Sequence, residues 1–409
     1  MKPVHFEKDA FPSVAALQKI ARKNPSYENL VNLASGQRRA AQLDAAAETL
    51  ARCVAMNRDE PAAWNNMAEV FSDLGKFEET PGLFQRSLQC HEKQGTSPSW
   101  AKNTLLGFAY SMMRLGQFQY IWPAWEVARM GMTWHPFPGT FAWKGEAVDR
   151  LLVVPEGGFG DGFMFLRWIP RLSERVGQTT VLIWDSLLEY AQRALGQYAT
   201  VLPMSHEFKY DELAQFRCCT ALLSLPGMLG MQSWDDIPPA LTWEPSARVI
   251  APPLDQVGFC WSAEENGVQR RTRSLDCFAA DKIGRELAKR CERVVSLVPR
   301  GKTLYRDAVH AAPKGVTQDD AALASWEETA RTILKCRLVV TVDTAVAHLA
   351  GSLGVPTLVL LPLRVDWKWG WPGHDLPPWY GLNFHAFRND HPEAWNVDGI
   401  LSAIKALGV

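Results

Sequence analysis

Four clusters of residues could do chemistry. The first is Val153-Val154-Pro155-Glu156-Gly157-Gly158-Phe159-Gly160-Asp161-Gly162-Phe163, with four glycines in six positions. Such a turn exposes backbone N–H groups and lets a ligand approach the chain closely. It carries neither the G-x-G-x-x-G spacing nor a G-K-[ST], so a dinucleotide fingerprint and a P-loop are excluded. Asp161 stands where the next helix starts, and Asp is a preferred N-cap. Four glycines are more than a cap needs.

The second cluster is Leu338-Val339-Val340-Thr341-Val342-Asp343-Thr344-Ala345-Val346-Ala347-His348-Leu349-Ala350-Gly351. A strand runs into Asp343-Thr344 and a helix of small residues follows. Its N-terminus at Ala345 offers N–H groups and a positive dipole end to a phosphate, with the Thr344 hydroxyl as an added donor. His348 lies one turn on, along the face of Thr344; a helical His beside Ala and Leu also serves as a packing residue. The third cluster is Gln269-Arg270-Arg271-Thr272-Arg273-Ser274, a basic loop that is either a solvated surface or a bidentate clamp on a diphosphate. The fourth, Leu361-Pro362-Leu363-Arg364-Val365-Asp366-Trp367-Lys368-Trp369-Gly370-Trp371, places three Trp at alternate positions after a buried strand. Their faces suit a sugar, a base or a hydrophobic plug.

The elements that must position these clusters alternate. Strands are expected at 151–155, 179–184, 200–204, 257–261, 294–297, 338–341 and 357–361, with helices at 163–173, 186–195, 279–289, 325–335 and 345–353. This predicts parallel pairing with helices on both faces, in two doubly wound halves joined near Pro252. Their cleft is expected at the carboxyl ends of both sheets. Ahead of them lies a repeat. Trp64, Ala68, Leu74, Gly75, Phe77 and Phe84 reappear 34 positions earlier as Leu30, Ala34, Leu43 and Leu50, and 41 later as Leu105, Ala109, Leu115, Gly116, Phe118 and Trp125. The small residue lets paired helices approach and the Gly takes the turn. This resembles the tetratricopeptide repeat over residues 24–131, with Ala41 where the first unit should have Gly, and Thr80 where Ala is usual. The repeats either brace the rest of the chain or hold a peptide on their concave face.

Composition narrows the function classes. The chain has 409 residues, 47% hydrophobic and 21% charged, enough for two or three compact units. A net charge of −1 supplies no basic field for a phosphate backbone, so nucleic acid is not the expected partner. The eight cysteines form no C-x-x-C, which suggests neither zinc nor a disulfide framework. With no apolar leader and no spanning run, a cytoplasmic, soluble protein is expected.

Together these residues resemble a bacterial family that joins tetratricopeptide repeats to a heptosyltransferase-like domain of the GT-B fold, similar to glycosyltransferase family 9. The residues carrying the resemblance are His135-Pro136-Phe137-Pro138 with Trp143, Glu156 to Asp161 with Phe165-Leu166-Arg167-Trp168, Ser224-Leu225-Pro226, Arg271-Thr272-Arg273-Ser274, Val342 to Leu349, Asp366-Trp367-Lys368-Trp369 and Pro378-Trp379-Tyr380. The resemblance implies α-helical repeats over 1–131, an acceptor-side Rossmann-like half over 132–252 and a donor-side half over 253–409. It implies an inverting transferase that moves a sugar from a nucleoside-diphosphate sugar to a protein or glycan hydroxyl. In it Asp161 is the base, and Asp343, Thr344, Ala345 and His348 hold the donor diphosphate with Arg271, Arg273 and Ser274. Glu156, Gly158, Gly160, Asp366 and Trp367 belong to the loops or the acceptor side. No cofactor or metal is expected, since no D-x-D motif occurs. Gly267 and Gln269-Arg270, where the family has His and Asn-Asp, and Gly157, where it has Gln, leave a second expectation: a degenerate transferase fold acting as an assembly module.

Overall fold

The structure, a computed structural model, describes residues 12–97, 101–119, 121–241, 254–263, 273–299, 312–370, 376–391 and 394–409. The chain divides into two compact units, Met1–Arg129 with Leu363–Gly373, and Met130–Pro362 with His374–Val409. The helical boundary thus falls at 129/130 rather than 131/132, and the segment from Leu363 packs with the helices rather than with the last half.

The first unit is built of α1 (Val14–Lys23), α2 (Tyr27–Arg39), α3 (Leu43–Met56), α4 (Pro61–Asp73), α5 (Thr80–Lys93), α6 (Lys102–Arg114) and α7 (Trp122–Arg129). Helices α2 to α7 form the three expected hairpins. The first helix of each hairpin ends alike: the N–H groups of Gln42, Lys76 and Gln117 donate to the carbonyls of Gln37, Phe71 and Met112, each at 2.9 Å. This Schellman closure needs a left-handed residue just before the donor. Gly75 (φ 76°) and Gly116 (φ 72°) supply it, and in the first repeat Ala41 takes φ 61° without the freedom of Gly. Thr80, in place of the usual Ala, is fully buried because its hydroxyl donates to the Phe77 carbonyl at 2.8 Å.

The segment that follows Pro362 completes this unit. Arg364 bonds both Asp73 and Glu69, and Arg38 bonds the same two carboxylates at 2.6 and 2.8 Å. Arg114 donates to the Val365 carbonyl at 2.9 Å, and Trp367 is wedged edge-on between Phe118 and Trp125. Two carboxylates one turn apart on α4 require cations, and buried Trp367 and Trp369 require apolar cover.

The second unit contains two parallel sheets. Its first half runs β1 (Phe141–Ala142), β2 (Val148–Val154), α8 (Phe159–Phe165), β3 (Val176–Ile183), α9 (Leu188–Leu195), β4 (Thr200–Pro203), α10 (Tyr210–Leu213), β5 (Cys218–Ala221) and α11 (Leu225–Met228). The strand order is β1-β5-β2-β3-β4. Its second half runs β6 (Leu254–Cys260), α12 (Cys277–Ala288), β7 (Arg293–Ser296), β8 (Val316–Thr317), α13 (Trp326–Leu334), β9 (Cys336–Val342), α14 (Ala345–Ser352), β10 (Thr357–Leu361), β11 (Phe384–Arg388) and α15 (Val397–Ala406), in the order β11-β10-β9-β6-β7-β8. Counted from β6, the second sheet reads 6-5-4-1-2-3, the doubly wound order seen from the far edge. Leu151, Leu152 and Val153 of β2 and Val339 and Val340 of β9 are inaccessible to solvent or nearly so, as strands covered on both faces must be. The expected architecture of α-helical repeats followed by two Rossmann-like halves of GT-B type is the one observed.

Two local expectations change. The helix expected over 163–173 starts earlier, at Phe159, and passes into a 3-10 helix over Leu166–Glu174, which contains Pro170. Proline has no N–H for the α ladder. The expected strands also leave out β1, β5, β8 and β11.

Candidate active site

In a doubly wound sheet the order of strands reverses between two neighbours, and the loops leaving their carboxyl ends part to form a crevice. In the first half those neighbours are β2 and β5. The glycine-rich loop leaves β2 there. In the second half they are β6 and β9. The Arg273-Ser274 loop follows β6, and Asp343-Thr344 follows β9.

The first-half loop is held by its own carboxylate. Gly157 turns at φ 77°, and a Cβ on it would meet Asp161 Oδ2 at 2.2 Å. Gly158, not Asp161, caps α8; Asp161 is the third helical residue and its Oδ2 accepts the Gly158 N–H at 2.8 Å. The N-cap expectation is thus corrected by three residues, because the third helical side chain is the one that reaches back over the first turn. Asp161 is half-buried at the loop rim, while Glu156 is buried at the end of β2.

The second half presents α14 by its N-terminus. The first N–H groups of an α-helix have no acceptor within it, and cap residue Thr344 gives them no side-chain bond. Its hydroxyl turns inward to the Thr341 hydroxyl at 3.2 Å and Cys260 Sγ at 3.7 Å. Burial pushes the Cys260 thiol up, so it stays neutral beside that hydroxyl. Thr344 therefore fastens the cap to β6 and β9 rather than offering the added donor that its type suggests. Arg273 reaches the same cap: Nη1 donates to the Asp343 carbonyl at 3.2 Å and lies 3.9 Å from Asp343 Oδ2. The Arg273 side chain is 43% exposed. Ser274 is buried and its hydroxyl accepts the Ala263 N–H at 3.0 Å, which fixes the root of the basic loop.

The two halves meet at this place. A Cβ on Gly160 would lie 2.8 Å from His348 Cδ2, 3.4 Å from His348 Nε2 and 3.5 Å from Ala345 Cα. The residue just before Asp161 thus touches the helix that Thr344 caps. Phe159 and Phe163 of α8 pack edge-on against Trp326 at 5.7 and 5.1 Å, adding an aromatic joint. Gly158, Gly160 and Asp161 share the first turn of α8, Gly160 lies against Ala345 and His348, and Arg273 reaches Asp343 beside the Thr344 cap, while Glu156 and Ser274 are buried. Arg271 lies outside the described residues, as do Gly267, Gln269 and Arg270. Asp366 and Trp367 have their partners in the helical unit: Asp366 accepts the Lys368 N–H at 3.2 Å, and Trp367 is core.

Sequence reasoning gave no role to Tyr380, whose hydroxyl lies 2.9 Å from His348 Nδ1, or to Arg167, whose guanidinium lies 5.2 Å from the centre of the Tyr380 ring. Both occur in the stretches that carry the family resemblance. Nothing in their spacing announces the pairing.

Among the described residues no three His, Cys, Asp or Glu side chains are gathered as a metal site, and no helix is long and apolar enough to cross a membrane. No protein-family profile and no curated protein matches the sequence. Several solved structures are similar in fold. An E. coli ADP-heptose lipopolysaccharide heptosyltransferase II is 13% identical over 63% of this chain and 98% of its own, with a TM-score of 0.42. A bacterial iron-containing dodecameric glycosyltransferase from enterotoxigenic E. coli is 13% identical over 61% of this chain and 64% of its own, with a TM-score of 0.39. A Thermobaculum terrenum O-GlcNAc transferase is 14% identical over 97% of this chain and 85% of its own, with a TM-score of 0.32. The fold itself is defined by the strand orders above.

Proposed function

We propose that the protein is an inverting, metal-independent glycosyltransferase that moves a sugar from a nucleoside-diphosphate sugar to a hydroxyl of a protein or glycan acceptor. One observation supports this reading: Gly160, next to Asp161 in sequence, packs on Ala345 and His348, which brings the loop of a carboxylate close to a helix N-terminus. Inversion at an anomeric carbon needs a base on the incoming side and charge stabilisation on the departing side. In this proposal Asp161 takes the acceptor proton as the acceptor oxygen attacks the anomeric carbon. The bond from that carbon to the phosphate oxygen breaks, and its electron pair leaves with the diphosphate. The N-terminus of α14, Arg273 and, by resemblance, Arg271 receive that negative charge.

The test is a thermal-shift panel of nucleoside diphosphates, followed by turnover with the corresponding sugar donors. A ligand that binds only the folded state raises Tm with its concentration over Kd. One diphosphate is expected to stand out, and turnover is expected to be unchanged in a chelator. Asp161→Asn keeps an acceptor oxygen for the Gly158 N–H, so it should fold normally while losing at least ~100-fold in rate. Nucleotide binding with neither transfer nor donor hydrolysis in the wild-type chain would favour the assembly-module reading instead.

A further inference from the structure

Between Glu156 and Asp161 the glycine-rich loop carries one side chain, that of Phe159. The ring is 37% exposed, so it is no part of a core. It lies edge-on to Trp184, which follows β3 in its own half, and edge-on to Trp326 of the other half, with ring centres 5.8 and 5.7 Å away. Trp326 is the first residue of α13, where the Ser325 hydroxyl accepts the Glu328 N–H at 3.2 Å and caps the helix. Its ring also meets Phe163 of α8 at 5.1 Å, and the adjoining Glu327 lies 4.0 Å from Arg193 of α9. Trp326 is thus an anchored aromatic surface that the second half presents to the loop of the first.

Three glycines around one phenylalanine give this stretch wide conformational freedom. Bonds inside the loop set its shape: the Gly158 N–H donates to Asp161 Oδ2 at 2.8 Å, and the N–H groups of Asp161 and Gly162 donate to the Gly158 carbonyl at 3.0 and 3.3 Å. None of these bonds reaches the second half. Gly160 lets α14 come close, but a missing side chain supplies no attraction. Edge-on aromatic pairs at these separations do. We infer that Trp326 is a positioning residue, which through Phe159 holds the Asp161 loop against α14. The role of Asp161 as a base rests on the proposed function; the bracing of its loop does not.

The experiment is amide hydrogen exchange of the full chain, read at Gly158, Asp161 and Gly162. Trp326→Phe keeps an aromatic partner and should exchange as the wild type does. Trp326→Ala should exchange about ten-fold faster at those amides, the worth of one aromatic pair, while α12 and β7 keep their protection and so report a folded second half. Phe159→Ala removes an exposed ring, leaves the contact of Trp326 with Phe163 in place, and should have the same effect. The double variant should be no faster than either single one, because both act through one contact. In turnover, Trp326→Ala should lower kcat by a similar factor and leave the KM for the donor unchanged. Wild-type exchange in folded Trp326→Ala or Phe159→Ala would overturn the inference, as would a double variant whose acceleration is the product of the two or an unchanged kcat. A wild-type chain that shows no turnover with any donor, with the expected exchange in the variants, would sink the transferase reading and leave this one standing.

Discussion

Asp161 serves its loop and, in the proposed reaction, its substrate, and the two duties separate by substitution. Asp161→Ala should lose both turnover and about 1 kcal/mol of stability, because the Gly158 N–H then has no carboxylate to bond. Ala41 gives a second test at this scale. It holds a left-handed turn that Gly75 and Gly116 hold in the next repeats. Strain of roughly 1–2 kcal/mol at a non-Gly residue outweighs the extra freedom Gly has when unfolded, roughly 0.5–1 kcal/mol. Ala41→Gly should therefore raise the melting temperature slightly. Gly75→Ala should lower it, since its Cβ would also press on Leu363 Cδ1 at 2.9 Å. Asp161 and His348 were legible in the sequence because their neighbours, a glycine-rich turn and a small-residue helix, have local signatures. The inward turn of Thr344 and the hydrogen bond between Tyr380 and His348 were not, because each depends on a residue that the fold brings from elsewhere.

Among the elements, β2, β6, β9 and β10 could be read as apolar runs, but β5 and β11 could not. Cys218-Cys219-Thr220-Ala221 has no bulky aliphatic residue, and Phe384-His385-Ala386-Phe387-Arg388 is only half-buried at a sheet edge. Without β5 the reversal in the first sheet is invisible, and with it goes the reason that the glycine-rich loop marks a crevice. The tie between α4 and the segment after β10 was equally hidden, since Arg364 reads as part of a Trp-rich loop. Burial opposes ionisation of Glu69 and Asp73, but the Arg364 and Arg38 guanidiniums outweigh it and hold both carboxyls below their ordinary values. A depressed carboxyl adds stability that is complete above its unfolded pKa and disappears as pH falls through the folded one. The helical unit should therefore weaken on acidification below about pH 4. Arg364→Gln should cost about 2 kcal/mol near neutral pH, a value reduced from that of a fully buried pair because Arg364 is 32% exposed. It should also flatten the acid loss, measurable by denaturant melts across the pH range.

For the whole molecule, the expectation of helical repeats joined to two parallel halves holds, whereas a simple succession of domains does not. Leu363–Gly373 belongs to the unit that begins the chain. A fragment spanning 130–409 lacks Glu69, Asp73, Arg114, Phe118 and Trp125, the partners of that segment. Trp367 and Trp369, 2% and 1% exposed in the full chain, would lose their cover. The fragment should bind a hydrophobic dye and aggregate, and adding residues 1–129 in trans should reduce both. Backbone crosses between the units at 129/130, 362/363 and 373/374, three times instead of once. An exchange of repeat arrays between related genes, or by an engineer, would consequently have to carry a second, distant stretch of coding sequence with it. The ancestry of the array should therefore be traced jointly with that of Leu363–Gly373, which packs with its helices.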